Sequence, residues 1–331
     1  MARLLSALVL CLLALPALAE DRPTQPVLRG DLDIHDPTLA IVEGAYMAFG
    51  TGEEGGIYRG AIRAKTSPDG ISWTDAGAVG KGLPKWVRPA LGFQPLNIWA
   101  PSISARDGRH FLYYAVSVFG IQVSAIGLMT NDALDPAAPG QGWQDQGMIV
   151  QSRQGDDFNA IDPYRIDTAD GRAWLVFGSY WDGIRLIEID PAGGKALDPA
   201  APPLALASRN GAGIEAPAIL EHDGKFYLFV SFDQCCAGLD STYHIMVGRA
   251  DAITGPYRDR AGNDMMAGAA QSVLAATGRY IGPGGQESFV AGDVPSLVYH
   301  FYDGDDRGRS KLQTAPILWT DDGWPYLPEL P

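Results

Sequence analysis

Cysteine is scarce in this chain, and so is positive charge. Three Cys occur in 331 residues, and Cys11 lies in an N-terminal apolar stretch, which leaves only Cys235 and Cys236, side by side. Two adjacent thiols cannot build a zinc cage of the usual spacing. They could form a vicinal disulfide in an oxidising compartment or pack as free thiols, and the sequence leaves both open. His110, His222, His244 and His300 are scattered and show no ligand spacing, so no metal site is expected from them. Lys and Arg number 25 against 39 Asp and Glu, for a net charge of −14. That surface repels phosphate backbones, which excludes nucleic acid as a natural partner and suits a neutral substrate.

Long apolar runs are missing except at the start. "MARLLSALVLCLLALPALAED" has one Arg, an apolar run, then Ala17-Leu18-Ala19 before Glu20. This is the form of a secretory signal peptide, residues 1–19, cut after Ala19. Its loss takes the net charge from −14 to −15, because Arg3 is its only charged residue. No later segment has the length of a membrane span, so the mature protein is expected to be secreted or periplasmic, with no membrane contact and as a monomer. Sustained helical periodicity is missing as well.

What is present is a loose repeat. Five times an apolar strand with an aromatic residue is followed by a second strand: "AYMAFGT", "FLYYAVSV", "AWLVFGSY", "KFYLFVSF" and "SLVYHFYD" begin the pairs. Tyr46, Tyr113, Trp174, Tyr227 and Tyr299 mark them. Period-2 alternation with Gly, Asp and Asn punctuation reads as strands. Another strand precedes each of the first four pairs, in "HDPTLA", "WAPSIS", "IDPYRI" and "EAPAIL". Each carries a proline, which a strand tolerates at its first residue. In the fifth repeat "GPGGQESFV" stands there without an equivalent proline. Repeats of this size and content predict an all-β, five-bladed β-propeller. No linker divides the chain, so residues 20–331 are expected to form one domain.

First strands of propeller blades line the axis, so the residues beside those prolines should converge. They are Asp36, Ala100 after Trp99, Asp162, and Glu215 two residues before its proline in the apolar stretch "GIEAPAIL". Single Asp-Pro pairs are often turn caps. Three acids near matching repeat positions point instead to a shared site. Carboxylates of opposed protonation state are the equipment for cleaving glycosidic bonds. An apolar setting and a negative neighbour raise the pKa of an acid. Glu215 is therefore the candidate proton donor, Asp162 its neighbour and Asp36 the candidate base. His35 is expected to support its strand.

The stretches "HDPT", "NIWAPSI", "NAIDPY", "GSYWDGI", "GIEAPAI", "STYHIMVGRADAITGPY" and "YIGPGGQ…LVYHFYD" resemble glycoside hydrolase family 43, and within it the endo-1,5-α-L-arabinanases. The resemblance implies inverting hydrolysis of plant cell-wall arabinan and arabino-oligosaccharides. It implies Asp36 as general base, Glu215 as general acid and Asp162 as the residue that tunes and orients Glu215. Trp99 resembles an active-site tryptophan of the family. Ser179, Trp181 and Gln286 join it as sugar-binding candidates, each Trp having core packing as its alternative. Many arabinanases carry His in a "GPGH" stretch, associated with an axial metal ion. Here Gly285 stands at that place. No cofactor is therefore expected to be required, with a structural cation near the axis left open. Two other readings are kept: an exo-acting α-L-arabinofuranosidase or β-xylosidase with the same acids, and a carbohydrate-binding propeller without catalysis.

Overall fold

A computed structural model describes residues 23–52, 60–80 and 82–331. The leader and Cys11 lie outside the described residues. Blade I runs outward from Thr38–Val42 through Ala45–Gly50 and Ile62–Ser67 to Ser72–Val79, with Arg29–Gly30 added in parallel at its edge. Blade II comprises Trp99–Arg106, Arg109–Val116, Ser124–Asn131 and Gln144–Ser152. Blade III comprises Tyr164–Asp167, Ala173–Phe177, Ile184–Ile189 and Leu204–Ala207. Blade IV comprises Ile214–His222, Lys225–Phe232, His244–Ala250 and Gln271–Leu274. Blade V has Tyr280–Ala291, Val294–Asp303 and Arg309–Pro316. The five innermost strands neighbour one another in cyclic order, and blade V returns to blade I. The fold is a five-bladed propeller.

The ring closes through the segment just before blade I. Leu312 donates its N–H to the Leu32 carbonyl (2.8 Å) and Ile34 donates to Ser310 (3.2 Å). Residues 32–34 thus supply the fourth strand that blade V lacks. The C-terminal residues are tied down beside it, where Gln25 donates to Glu329 (2.8 Å).

Why these segments become blades is visible in their second strands. Alternate residues of a strand face opposite ways. Phe111 and Tyr113 pack with blade III residues such as Leu175, whereas Leu112 and Tyr114 pack with blade I residues such as Phe49. Both faces are covered, so "FLYYAV" is apolar throughout. Five such clusters occupy the five blade interfaces. Each large side chain buried there contributes roughly 1.5–3 kcal/mol relative to exposure. The marker aromatics all lie on second strands, with Tyr113, Trp174, Tyr227 and Tyr299 buried and Tyr46 half-buried.

Candidate active site

The innermost strands bend as they reach the axis. Asp36, Ala100, Asp162, Ala216 and Gly285 occupy the equivalent position in the five blades, and all have positive φ, between 39° and 60°. In blades I to IV the next residue is Pro37, Pro101, Pro163 or Pro217. In blade V it is Gln286. Strand pairing slips at this point, between Trp99 and Ser102 and between Glu215 and Ala218. Left-handed backbone at a non-glycine residue costs of order 1–3 kcal/mol. The surroundings hold it in place. The Ala100 N–H donates to Thr51 Oγ1 (2.8 Å), Ala216 to Asp162 Oδ2 (3.0 Å), Gly285 to Ser231 Oγ (3.1 Å) and Asp36 to His300 Nδ1 (3.1 Å).

Asp36 and Asp162 are equivalent, and Glu215 is one residue earlier, in register with His35 and Trp99, as its place two residues before Pro217 indicates. The five bends enclose a cavity of about 20 Å³, lined by Asp36, Asp162, Gln286 and Glu287 among others. That space holds about one water. A larger groove of about 1090 Å³ lies along the outer strands of blades I and II, beside Leu83 and Trp143, and holds none of the three acids.

The acids have opposed environments. Burial pushes the Asp36 carboxyl up, but His35 outweighs it through charge and a hydrogen bond, helped by His300 and Thr51, so its pKa falls below the ordinary carboxylate range. His35 Nδ1 is 2.8 Å from Asp36 Oδ2, and Thr51 Oγ1 donates to the same oxygen at 2.6 Å. Oδ1 is turned toward Gly285, where an added methyl would lie 2.8 Å from it. Glu215 is buried, and burial raises its pKa despite hydrogen bonds from Ser179 and Tyr243. Ser179 Oγ donates to Glu215 Oε2 at 2.6 Å. Burial also raises Asp162 well above the usual range, and the neighbouring charges of Glu215 and Asp36 add to it. Asp162 reaches the backbone beside Glu215 by accepting the Ala216 N–H.

The remaining candidates fall into two groups. Trp99 is half-buried at the start of the blade II inner strand, with its Nε1 donating to Asn97 Oδ1 (2.9 Å). Trp181 is half-buried in a tight turn after Ser179, held where Tyr180 donates its N–H to the Ile214 carbonyl (2.8 Å). That bond ties the Ser179 turn to the residue before Glu215. Gln286 is buried and spends both ends of its amide on the protein: Nε2 donates to the Ala216 carbonyl (2.6 Å) and Oε1 accepts from Ser231 (2.7 Å). It braces blade V against blade IV in the place where other blades have proline.

Several site residues were not singled out in the sequence. Glu287 is one: burial raises its pKa well above the carboxylate range, and Thr38 Oγ1 donates to its Oε2 (2.5 Å). Thr51 and Tyr243 are others. Their only signal was membership of motifs that ran past the acids. His300 is a correction, since the fold brings this seemingly scattered residue to His35, with ring centroids 3.9 Å apart. Burial pushes His300 well below the ordinary imidazole range. His35, Asp36 and His300 are the one group among the described residues whose ligand atoms lie within 4.8 Å of each other. Their facing atoms bond to protein groups: His35 to Asp36 and Tyr302, His300 to the Asp36 N–H. The donor set therefore makes a hydrogen-bonded network. Cys235 and Cys236 are joined as a vicinal disulfide, which resolves the alternative the sequence left open.

The chain is similar to known proteins over most of its length. The family model for glycosyl hydrolases family 43 matches residues 23–325. The extracellular endo-alpha-(1->5)-L-arabinanase 1 of Bacillus subtilis is 37% identical, over 88% of this chain and 87% of that one. The extracellular exo-alpha-(1->5)-L-arabinofuranosidase ArbA of Cellvibrio japonicus is 34% identical, over 90% of this chain and 87% of its own. The solved structure of a family 43 endo-arabinanase from Bacillus licheniformis is 41% identical, with a TM-score of 0.83, covering 91% of this chain and 99% of that one.

Proposed function

Because this chain belongs to glycosyl hydrolase family 43, we propose that it hydrolyses internal α-1,5-L-arabinofuranosidic bonds of arabinan, with inversion, by general acid and base catalysis. One observation carries the reading. A carboxylate whose pKa is pushed down, Asp36, and a carboxyl whose pKa is pushed up, Glu215, meet at the centre of a family 43 propeller. Asp36 takes a proton from the attacking water. Its Oδ2 is occupied by His35 and Thr51, so Oδ1 is the oxygen that does so. Glu215 gives its proton to the departing glycosidic oxygen. Asp162 holds the Ala216 backbone, and it and Glu215 oppose each other's ionisation, so the pair retains a proton. General acid and base work of this kind needs no cofactor.

The central cavity is too small for a sugar ring, so the substrate lies on its solvent side. Trp99 and Trp181 are half-buried and offer ring faces to it. Ser179 serves first as the partner of Glu215. The endo-acting relatives support cleavage within the chain. The exo-acting relative from Cellvibrio japonicus supports a second reading, in which the same acids release sugar from chain ends. Export is supported by the leader-like residues 1–19 and by relatives named extracellular. Among the described residues no helix is long and apolar enough to cross a membrane.

Linear arabinan is the test. Wild type should release a mixture of oligosaccharides early, and Glu215→Gln should release almost none while still binding them. Arabinose alone from the first time point would move the protein to the exo-acting reading. No product from wild type would remove arabinan as the substrate.

A further inference from the structure

The disulfide loop touches the hydrogen-bonded network around Asp36. The Cys236 N–H donates to the Tyr302 hydroxyl at 2.7 Å. The same hydroxyl is 2.8 Å from His35 Nε2 and 3.3 Å from His300 Nε2. Cys236 Sγ is itself 3.9 Å from His35 Nε2.

These contacts hold both imidazole rings in place. The Asp36 N–H is a donor, so His300 Nδ1 accepts it. His300 is neutral, so its proton is on Nε2 and points at the Tyr302 oxygen. Cys236 gives that oxygen a second donor. The Tyr302 hydroxyl contact at Nε2 holds one side of the His35 ring. On the other side His35 Nδ1 donates to Asp36 Oδ2, and the Asp36 charge raises the His35 pKa.

We propose that Tyr302 is a positioning residue for the base, fixing the His35 ring orientation that aims Asp36, and that the Cys235–Cys236 loop acts on catalysis by holding Tyr302. The loop belongs to blade IV and Tyr302 to blade V, while His35 and Asp36 precede blade I. The device thus spans three blades and sets which Asp36 oxygen faces the substrate. It rests on the reading of Asp36 as the general base. The other ionisable groups around Asp36 are His300, Glu215, Asp162, Glu287 and Tyr243, and the hydrogen bond at His35 Nε2 is with Tyr302.

The experiment measures kcat, KM and the pH profile of kcat/KM for wild type, Tyr302→Phe and Asp36→Asn, each with and without a phosphine reductant, on arabino-oligosaccharides. Tyr302→Phe should lower kcat by about tenfold with little change in KM. Its acid limb should move upward by about half a pH unit, because Asp36 loses its fixed donor. Reduction should change wild type in the same direction and leave Tyr302→Phe unaltered, because the loop acts through the missing hydroxyl. Native kcat and an unmoved acid limb in Tyr302→Phe would overturn the proposal. So would a reductant effect that is absent from wild type or equal in both proteins. The reduction arm on wild type needs no substitution, so it still decides the matter if Tyr302→Phe does not fold. An active Asp36→Asn would instead overturn the underlying assignment of the base.

Discussion

Ser179→Ala separates two roles that one side chain could have. Ser179 Oγ donates to Glu215 Oε2 at 2.6 Å, and both residues are buried. A hydrogen bond to an ionised group contributes roughly 1.5–3 kcal/mol. It favours the charged form of Glu215, so its loss raises the pKa further. Part of the effect cancels, because protonated Glu215 can donate to the serine oxygen. With about 1.4 kcal/mol per pKa unit, a net shift of about one unit upward remains. A general acid must be protonated to act, so the basic limb of the kcat/KM profile should move up by that amount. The acid limb, set by Asp36, should stay. The assay is initial rates on linear arabino-oligosaccharides across the pH range, with the plateau kcat recorded separately. A basic limb that stays or moves down would refute the reasoning. A raised KM with an unmoved limb would assign Ser179 to sugar binding instead.

Asp162→Asn should move the same limb in the opposite direction, because Asp162 and Glu215 oppose each other's ionisation and the variant removes one of the pair; an unmoved limb in the pH profile would leave Asp162 a backbone anchor only. Gly285→Ala should lower both the melting temperature and kcat. Its Cβ would fall 2.7 Å from the His300 ring and 2.8 Å from Asp36 Oδ1, at φ +60°, which predicts about 1–3 kcal/mol of destabilisation in chemical denaturation. Glu287→Gln tests linkage. Folding raises the pKa of Glu287, so the folded state holds that proton more tightly than the unfolded chain does. Its contribution is full below the unfolded value of about 4.3 and is lost as pH rises toward the folded value. Calorimetry should therefore show wild type losing more stability than Glu287→Gln between about pH 4 and neutrality. Equal slopes would mean that Glu287 ionises freely in the folded protein.

The blades were legible because a strand buried on both faces must be apolar at every position, and five such runs recur. Asp36 and Asp162 were legible for a related reason, since each stands before a proline at the head of an inner strand. The propeller, its blade number and the acid residues in apolar settings thus follow from local pattern. Tertiary structure decided the rest. It set both amide ends of Gln286 against blade IV. It carried His300 and Tyr302 from late in the chain to the side of His35, across the seam where the ring closes. Those contacts join residues more than 260 positions apart, as the 2.8 Å bond between His35 and Tyr302 does. Local periodicity reports which face of a strand is buried; only ring closure decides which side chains share the space at its axis.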